Sequence, residues 1–136
     1  MDEEFISYEQ ALALKELGFD EPCLAFWDGK NPDAFYFNNI RDASGDYVPF
    51  QKHDRLKWFG APLYQQAFRW FREKHKLWVY NIPYSGGKYC IEIWRLVEGD
   101  DYAKTREDRV IMDSWEEAEK ACLDKLIEIL KNKEND

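Results

Sequence analysis

The sequence contains no apolar run near the roughly 18–20 residues that a membrane-spanning helix requires. Its opening, MDEEFISYEQ, is acidic where a secretory leader is basic and then apolar. Both absences lead us to expect a soluble cytoplasmic protein with no membrane partner. Cysteine and histidine are scarce. Cys23, Cys90 and Cys122 lie far apart without C-x-x-C spacing, and His53 and His75 are close to none of them in sequence. Scattered cysteines in odd number, on segments expected to be strands and a helix, read as buried reduced thiols. A metal site would need clustered ligands, so neither a metal nor a cofactor is expected.

Catalytic signatures are also missing. The chain has no G-x-S-x-G, no H-E-x-x-H, no G-x-G-x-x-G and no EF-hand loop. The GGK at 86–88 is not a phosphate loop, because Tyr89 stands where that motif requires Ser or Thr. His53 and His75 each sit among charged neighbours and are expected to be exposed. We therefore expect no enzyme and assign no catalytic residue.

Aromatic residues are abundant at 17% of the 136 positions, including six Trp, eight Tyr and nine Phe. Each buried ring removes roughly 150–250 Å² from water, which is ample for a core. The length fits one domain over 1–136, with residues 1–5 and 131–136 expected to fray.

The net charge of −8 is unevenly spread. Residues 1–51 carry three Lys/Arg and eleven Asp/Glu, whereas 52–76 carry seven and two, a local +5. A basic stretch of this kind can bind an anion at short range inside an acidic protein.

SYEQALALKELGF reads as a first helix, with Ser7 and Gln10 as a capping box and Gly18 as a left-handed stop. Phe19 then packs back on Leu14, and Ala11, Leu14 and Leu17 form the apolar stripe, widened by Tyr8 and Leu12. Residues 23–27 and 34–37 read as a hairpin around the turn DGKNPD. Residues 41–60 form a long loop with short strands at most, and long loops in compact proteins are often contact surfaces.

Pro62 suits the first turn of a second helix that runs to about Lys76. Its apolar stripes are Tyr64, Phe68 and Phe71 beside Leu63, Ala67 and Trp70, with Arg69, Arg72 and Lys76 on another side. LWVYNIPY and KYCIEIWRLV are strands joined through SGGK, with Pro83 at a strand end. RVIMD is a candidate further strand. SWEEAEKACLDKLIEIL is the clearest helix, with Ser114 and Glu117 as a capping box and Ala118, Cys122, Leu126 and Ile129 as its packing stripe. The fold class is α+β: an antiparallel sheet of about four to five strands with three helices, in the order α-β-β-loop-α-β-β-(β)-α.

Two resemblances follow from these segments. SWEEAEKACLDKLIEIL looks like the last helix of double-stranded RNA-binding domains, with Ser114, Glu117, Ala118, Ala121, Cys122 and Leu126 in corresponding places. The residues from Pro62 to Leu130 can run α-β-β-β-α as those domains do. That family's phosphate-touching lysines are replaced here by Glu116, Glu117 and Glu119, so the resemblance implies similar packing more than the usual RNA contact.

SYEQALALKELGFDEPC, APLYQQAFRWFREKHKL and SWEEAEKACLDKLIEIL together resemble a group of small uncharacterised proteins of gut Bacteroidales bacteria and their phages. This resemblance covers about 50 residues and implies an accessory protein of a phage or mobile element, in the cytoplasm of a bacterial host, with host-directed binding.

The expected function is non-enzymatic binding of a host protein. The expected surface is the 41–60 loop with the outer face of the second helix: Lys52, Arg55, Lys57, Arg69, Arg72 and Lys76. Nucleic acid or a nucleotide at the same face is the second reading, since cations beside Trp58, Phe59, Trp70 and Trp78 suit single strands. A third reading is that the acidic remainder imitates nucleic acid and occupies a host protein's basic cleft.

Overall fold

A computed structural model describes residues 4–29, 31–37, 44, 59–96 and 104–134. The elements are α1 (Tyr8–Glu16), β1 (Ala25–Asp28), β2 (Asn31–Phe37), β3 (Phe59–Ala61), α2 (Tyr64–His75), β4 (Leu77–Ile82), β5 (Tyr89–Leu96), β6 (Lys104–Met112) and α3 (Trp115–Glu134). The α+β class and the three helices agree with the sequence reading. The strands, however, lie in two antiparallel three-stranded sheets, ordered β2-β1-β3 and β4-β5-β6. The chain divides into two compact units, Met1–Leu63 and Tyr64–Asp136.

In the first unit, α1 starts where its capping box dictates. The Ser7 hydroxyl accepts from Gln10 N–H, and the Gln10 side chain accepts from Ser7 N–H. The helix stops at a Schellman turn: Phe19 N–H donates to Leu14 C=O at 2.9 Å and Gly18 N–H to Lys15 C=O at 3.1 Å. Gly18 sits at φ +101°, which side chains with a Cβ resist. The buried face is Gln10, Ala11, Ala13 and Leu14. Leu12, read from sequence as part of the stripe, is exposed, because a nine-residue helix presents only one narrow face.

The β1–β2 hairpin is tighter than DGKNPD suggests, pairing Asp28 with Asn31 directly. Trp27 then pairs with Phe35, so residues 32–34 lie in an irregularity of the ladder. Pro32 has no N–H to donate, and this edge-strand break is a place where that costs nothing. Phe5, Ala25 and Ala61 are buried together, with Trp27, Phe35 and Leu63 packed on them. Trp27 Nε1–H donates to Ile6 C=O at 3.2 Å. Most of the 41–60 loop lies outside the described residues, and its end forms β3.

The second unit runs α-β-β-β-α, the order read from sequence for this part of the chain. Pro62 precedes α2 rather than opening its first turn, and its carbonyl accepts from Ile6 N–H at 3.1 Å. Tyr64, Ala67, Phe68, Trp70 and Phe71 are the buried side of α2. His75 is half-buried, not exposed as expected, with its ring 4.7 Å from Trp70 and 6.0 Å from Phe71. A single residue, Lys76 at φ +59°, turns the chain from α2 into β4, and its carbonyl accepts from Leu96 N–H at 3.2 Å.

Gly86 and Gly87, at φ +75° and +72°, turn the chain between β4 and β5 in a left-handed conformation that glycine adopts without strain. The last strand is longer than RVIMD: it begins at Lys104, in charged sequence with no apolar alternation to mark it. The Ser114 hydroxyl caps α3 by accepting from Glu117 N–H at 3.2 Å. The buried side of α3 is Ala118, Cys122, Leu123, Leu126, Ile127 and Leu130, with Ile129 only half-buried. α3 packs on β5 and β6, and α2 on β4, so both helices cover the sheet face that carries Ile91, Ile93 and Val110. No helix among the described residues is long and apolar enough to cross a membrane.

Candidate functional site

Helical spacing places Gln65, Phe68, Arg69 and Arg72 on one side of α2, at i, i+3, i+4 and i+7. Alternation along β4 turns Val79 and Asn81 toward the helices, and Ile91, paired with Asn81 on β5, lies beside them. These residues, with Trp115 at the start of α3, line a cleft of about 430 Å³. Small-molecule sites commonly fall between roughly 300 and 1,000 Å³.

The walls are apolar and aromatic, while the polar groups are two guanidiniums and two carboxamides. Gln65 is held in place by donating from Nε2 to Glu119 Oε2 at 3.2 Å. The Arg72 guanidinium also lies 5.4 Å from the centre of the Trp78 ring, a cation–π distance.

The eight lining side chains include no His, Cys, Asp or Glu. They supply charge, hydrogen-bond donors and a ring surface, which suits binding an anionic group with an apolar or planar part. In each unit, burial raises hydroxyl and thiol groups above their ordinary values. Burial, with Asp124 and Glu119 adding to it, pushes the Tyr64 hydroxyl up to about 12. Burial likewise pushes the Cys23 thiol up to about 12, helped by Glu21, and raises Cys122 as well. Cys23, Cys90 and Cys122 are all buried thiols outside any disulfide. No group of three or more His, Cys, Asp or Glu side chains that could hold a metal occurs among the described residues.

Of the six basic residues named from sequence, Arg69 and Arg72 come together in the cleft. Lys76 is exposed at the α2–β4 junction and is not part of the lining. Lys52, Arg55 and Lys57 lie outside the described residues. Sequence reasoning missed Gln65, Asn81 and Trp115. Helical spacing from Arg69 could have found Gln65, but the other two converge only through strand register and the placement of α3.

The opposite sheet face carries a second cluster. Glu92, only 7% exposed, accepts from Arg109 Nε at 3.0 Å and Nη2 at 2.6 Å, from Arg106 Nη1 at 3.1 Å, and from Trp94 Nε1 at 3.2 Å. The Arg109 hydrogen bonds, then those from Trp94 and Arg106, hold its carboxyl below the usual carboxylate range against the opposing effect of burial. No protein family, characterised protein or solved structure matches this chain.

Proposed function

We propose that the chain is a non-enzymatic accessory protein of the phage type that binds a host protein through the Arg69–Arg72 side of α2. The observation that carries this reading is two guanidiniums in a cleft of about 430 Å³ whose lining is part polar and part apolar. A carboxylate from a partner can bond the guanidiniums while a neighbouring apolar side chain fills the space against Phe68, Val79 and Ile91. The uneven charge supports it too, because the basic stretch around α2 stands out in a chain of net −8.

The test is affinity capture from host extract with tagged wild-type chain and with the double variant Arg69→Glu/Arg72→Glu. A protein held by wild type and released by the variant, with matching circular dichroism, is the expected result. A partner retained equally by both would remove the cleft from the reading.

A nucleotide is the second reading, favoured by the volume of the cleft and by Trp115 and Phe68 on its walls. Thermal shifts with a panel of mono- and triphosphates, abolished in the same double variant, would select it.

A further inference from the structure

We propose that the sheet face of the second unit turned away from α2 and α3 is a separate surface for single-stranded nucleic acid. Register sets its composition. Trp78 pairs with Trp94, and Trp94 with Arg106, in one row; Tyr80 pairs with Glu92, and Glu92 with Arg109, in the next. The first row therefore reads Trp-Trp-Arg across the three strands, with a cation at its β6 end.

Strand alternation alone would put Arg106 and Arg109 on opposite faces, since they are three residues apart. The register shift between Ile93 and Trp94 passes over Glu107 and brings both arginines to this face. Glu92 anchors them, leaving their side chains 49% and 42% exposed with donors that one carboxylate does not use. The Trp78 and Tyr80 rings lie within 17° of parallel with centres 6.5 Å apart, and Trp78, Tyr80 and Trp94 are all partly exposed.

Flat rings on an antiparallel sheet, with two guanidiniums beside them on β6, match what unpaired bases and their phosphates require. The strands are about 4.8 Å apart, so the row spans about 10 Å, the scale of a few nucleotides. The second unit carries thirteen Lys/Arg and fifteen Asp/Glu, only −2 of the total. Arg106, Arg109 and Glu92 together give the face a local charge of +1. Acidic groups beyond about 8 Å are largely screened at physiological salt. Duplex hides its bases and is not the expected ligand.

The test is fluorescence anisotropy of the full chain with a labelled oligouridylate of about ten nucleotides and with duplex RNA of equal length. The expected result is binding of the single strand in preference to duplex, weakening roughly tenfold between about 50 and 200 mM salt. Tyr80→Ser should lower affinity about tenfold, as loss of a stacking ring does. Arg106→Gln should lower it several-fold, and it leaves the Arg109–Glu92 contact in place, so the result stays readable even if Tyr80→Ser unfolds.

No binding at low salt, equal binding of duplex, or indifference to both Tyr80→Ser and Arg106→Gln would overturn the proposal. So would stronger binding of a Glu- and Trp-containing peptide competing at this face, which would make it a protein-docking surface. Trp78, Tyr80, Glu92, Trp94, Arg106 and Arg109 are not part of the cleft lining. Loss of binding in Arg69→Glu with none in Arg106→Gln would place the strand in the cleft and overturn the proposal equally.

Discussion

Arg109 directs two guanidinium N–H groups, Nε at 3.0 Å and Nη2 at 2.6 Å, onto a single oxygen, Oε2, of its cross-strand partner Glu92. The carboxylate is nearly buried and its affinity for a proton is lowered by these bonds. A carboxyl whose folded value lies below its unfolded one stabilises the fold above the unfolded value and loses that contribution as pH falls through the folded one. The difference in unfolding free energy between wild type and Glu92→Gln should therefore be largest near neutral pH and shrink below the ordinary carboxyl value of 4.5. Urea titrations at several pH values would check this; a difference that stays constant into strong acid would refute it.

Gly18 ends α1 at φ +101° with no atom within 4 Å of where a Cβ would stand. The cost of Gly18→Ala is therefore backbone strain, about 1–2 kcal/mol, and not a clash. Chemical denaturation should show that loss. An unchanged midpoint would mean that the turn relaxes to another conformation.

Lys76 presents the reverse case, a side-chain-bearing residue at φ +59°. Lys76→Gly should raise stability by about 0.5–1 kcal/mol, and Lys76→Val should lower it. Because Lys76 is not part of the cleft lining, neither change should alter partner capture. A marked loss of capture in both variants would bring Lys76 back into the binding surface.

The three thiols should be unreactive in the folded protein. Cys23 and Cys122 are held protonated by burial, and Cys90 is 1% exposed. A thiol-specific reagent at mildly alkaline pH is expected to label none of them rapidly and all three after unfolding. Fast labelling of a folded sample would show that one of these sites opens.

Leu126 is fully buried on α3 while Leu12 is 36% exposed on α1, although both read as apolar-stripe positions in sequence. Leu126→Ala should cost about 2–5 kcal/mol, through lost burial and a cavity. Leu12→Ala should stay within about 0.5 kcal/mol. Equal losses would contradict the burial described.

Local chemistry was legible wherever it needs only neighbours a few residues away. Ser7 and Gln10, Gly18 and Phe19, Gly86 and Gly87, and the 3.6-residue rhythm of α2 and α3 all act within a turn or two of backbone, so the helices and the glycine turns could be read directly. Arg69 and Arg72 were found for the same reason, as neighbours on one helical face. The α+β class followed from the order of these segments.

Tertiary structure decided what depends on pairing across the chain. It separated the strands into two sheets, extended β6 through a charged segment with no apolar signal, and brought Asn81, Ile91 and Trp115 to the arginines of α2. A one-residue register shift turned Arg106 and Arg109 to the same side of Glu92. Strand register is set by contacts between segments distant in sequence, and a single slip reverses which face every later side chain occupies. The helices and the basic face of α2 were therefore written in the sequence itself, whereas the cleft and the aromatic–arginine sheet face exist only once the strands have paired.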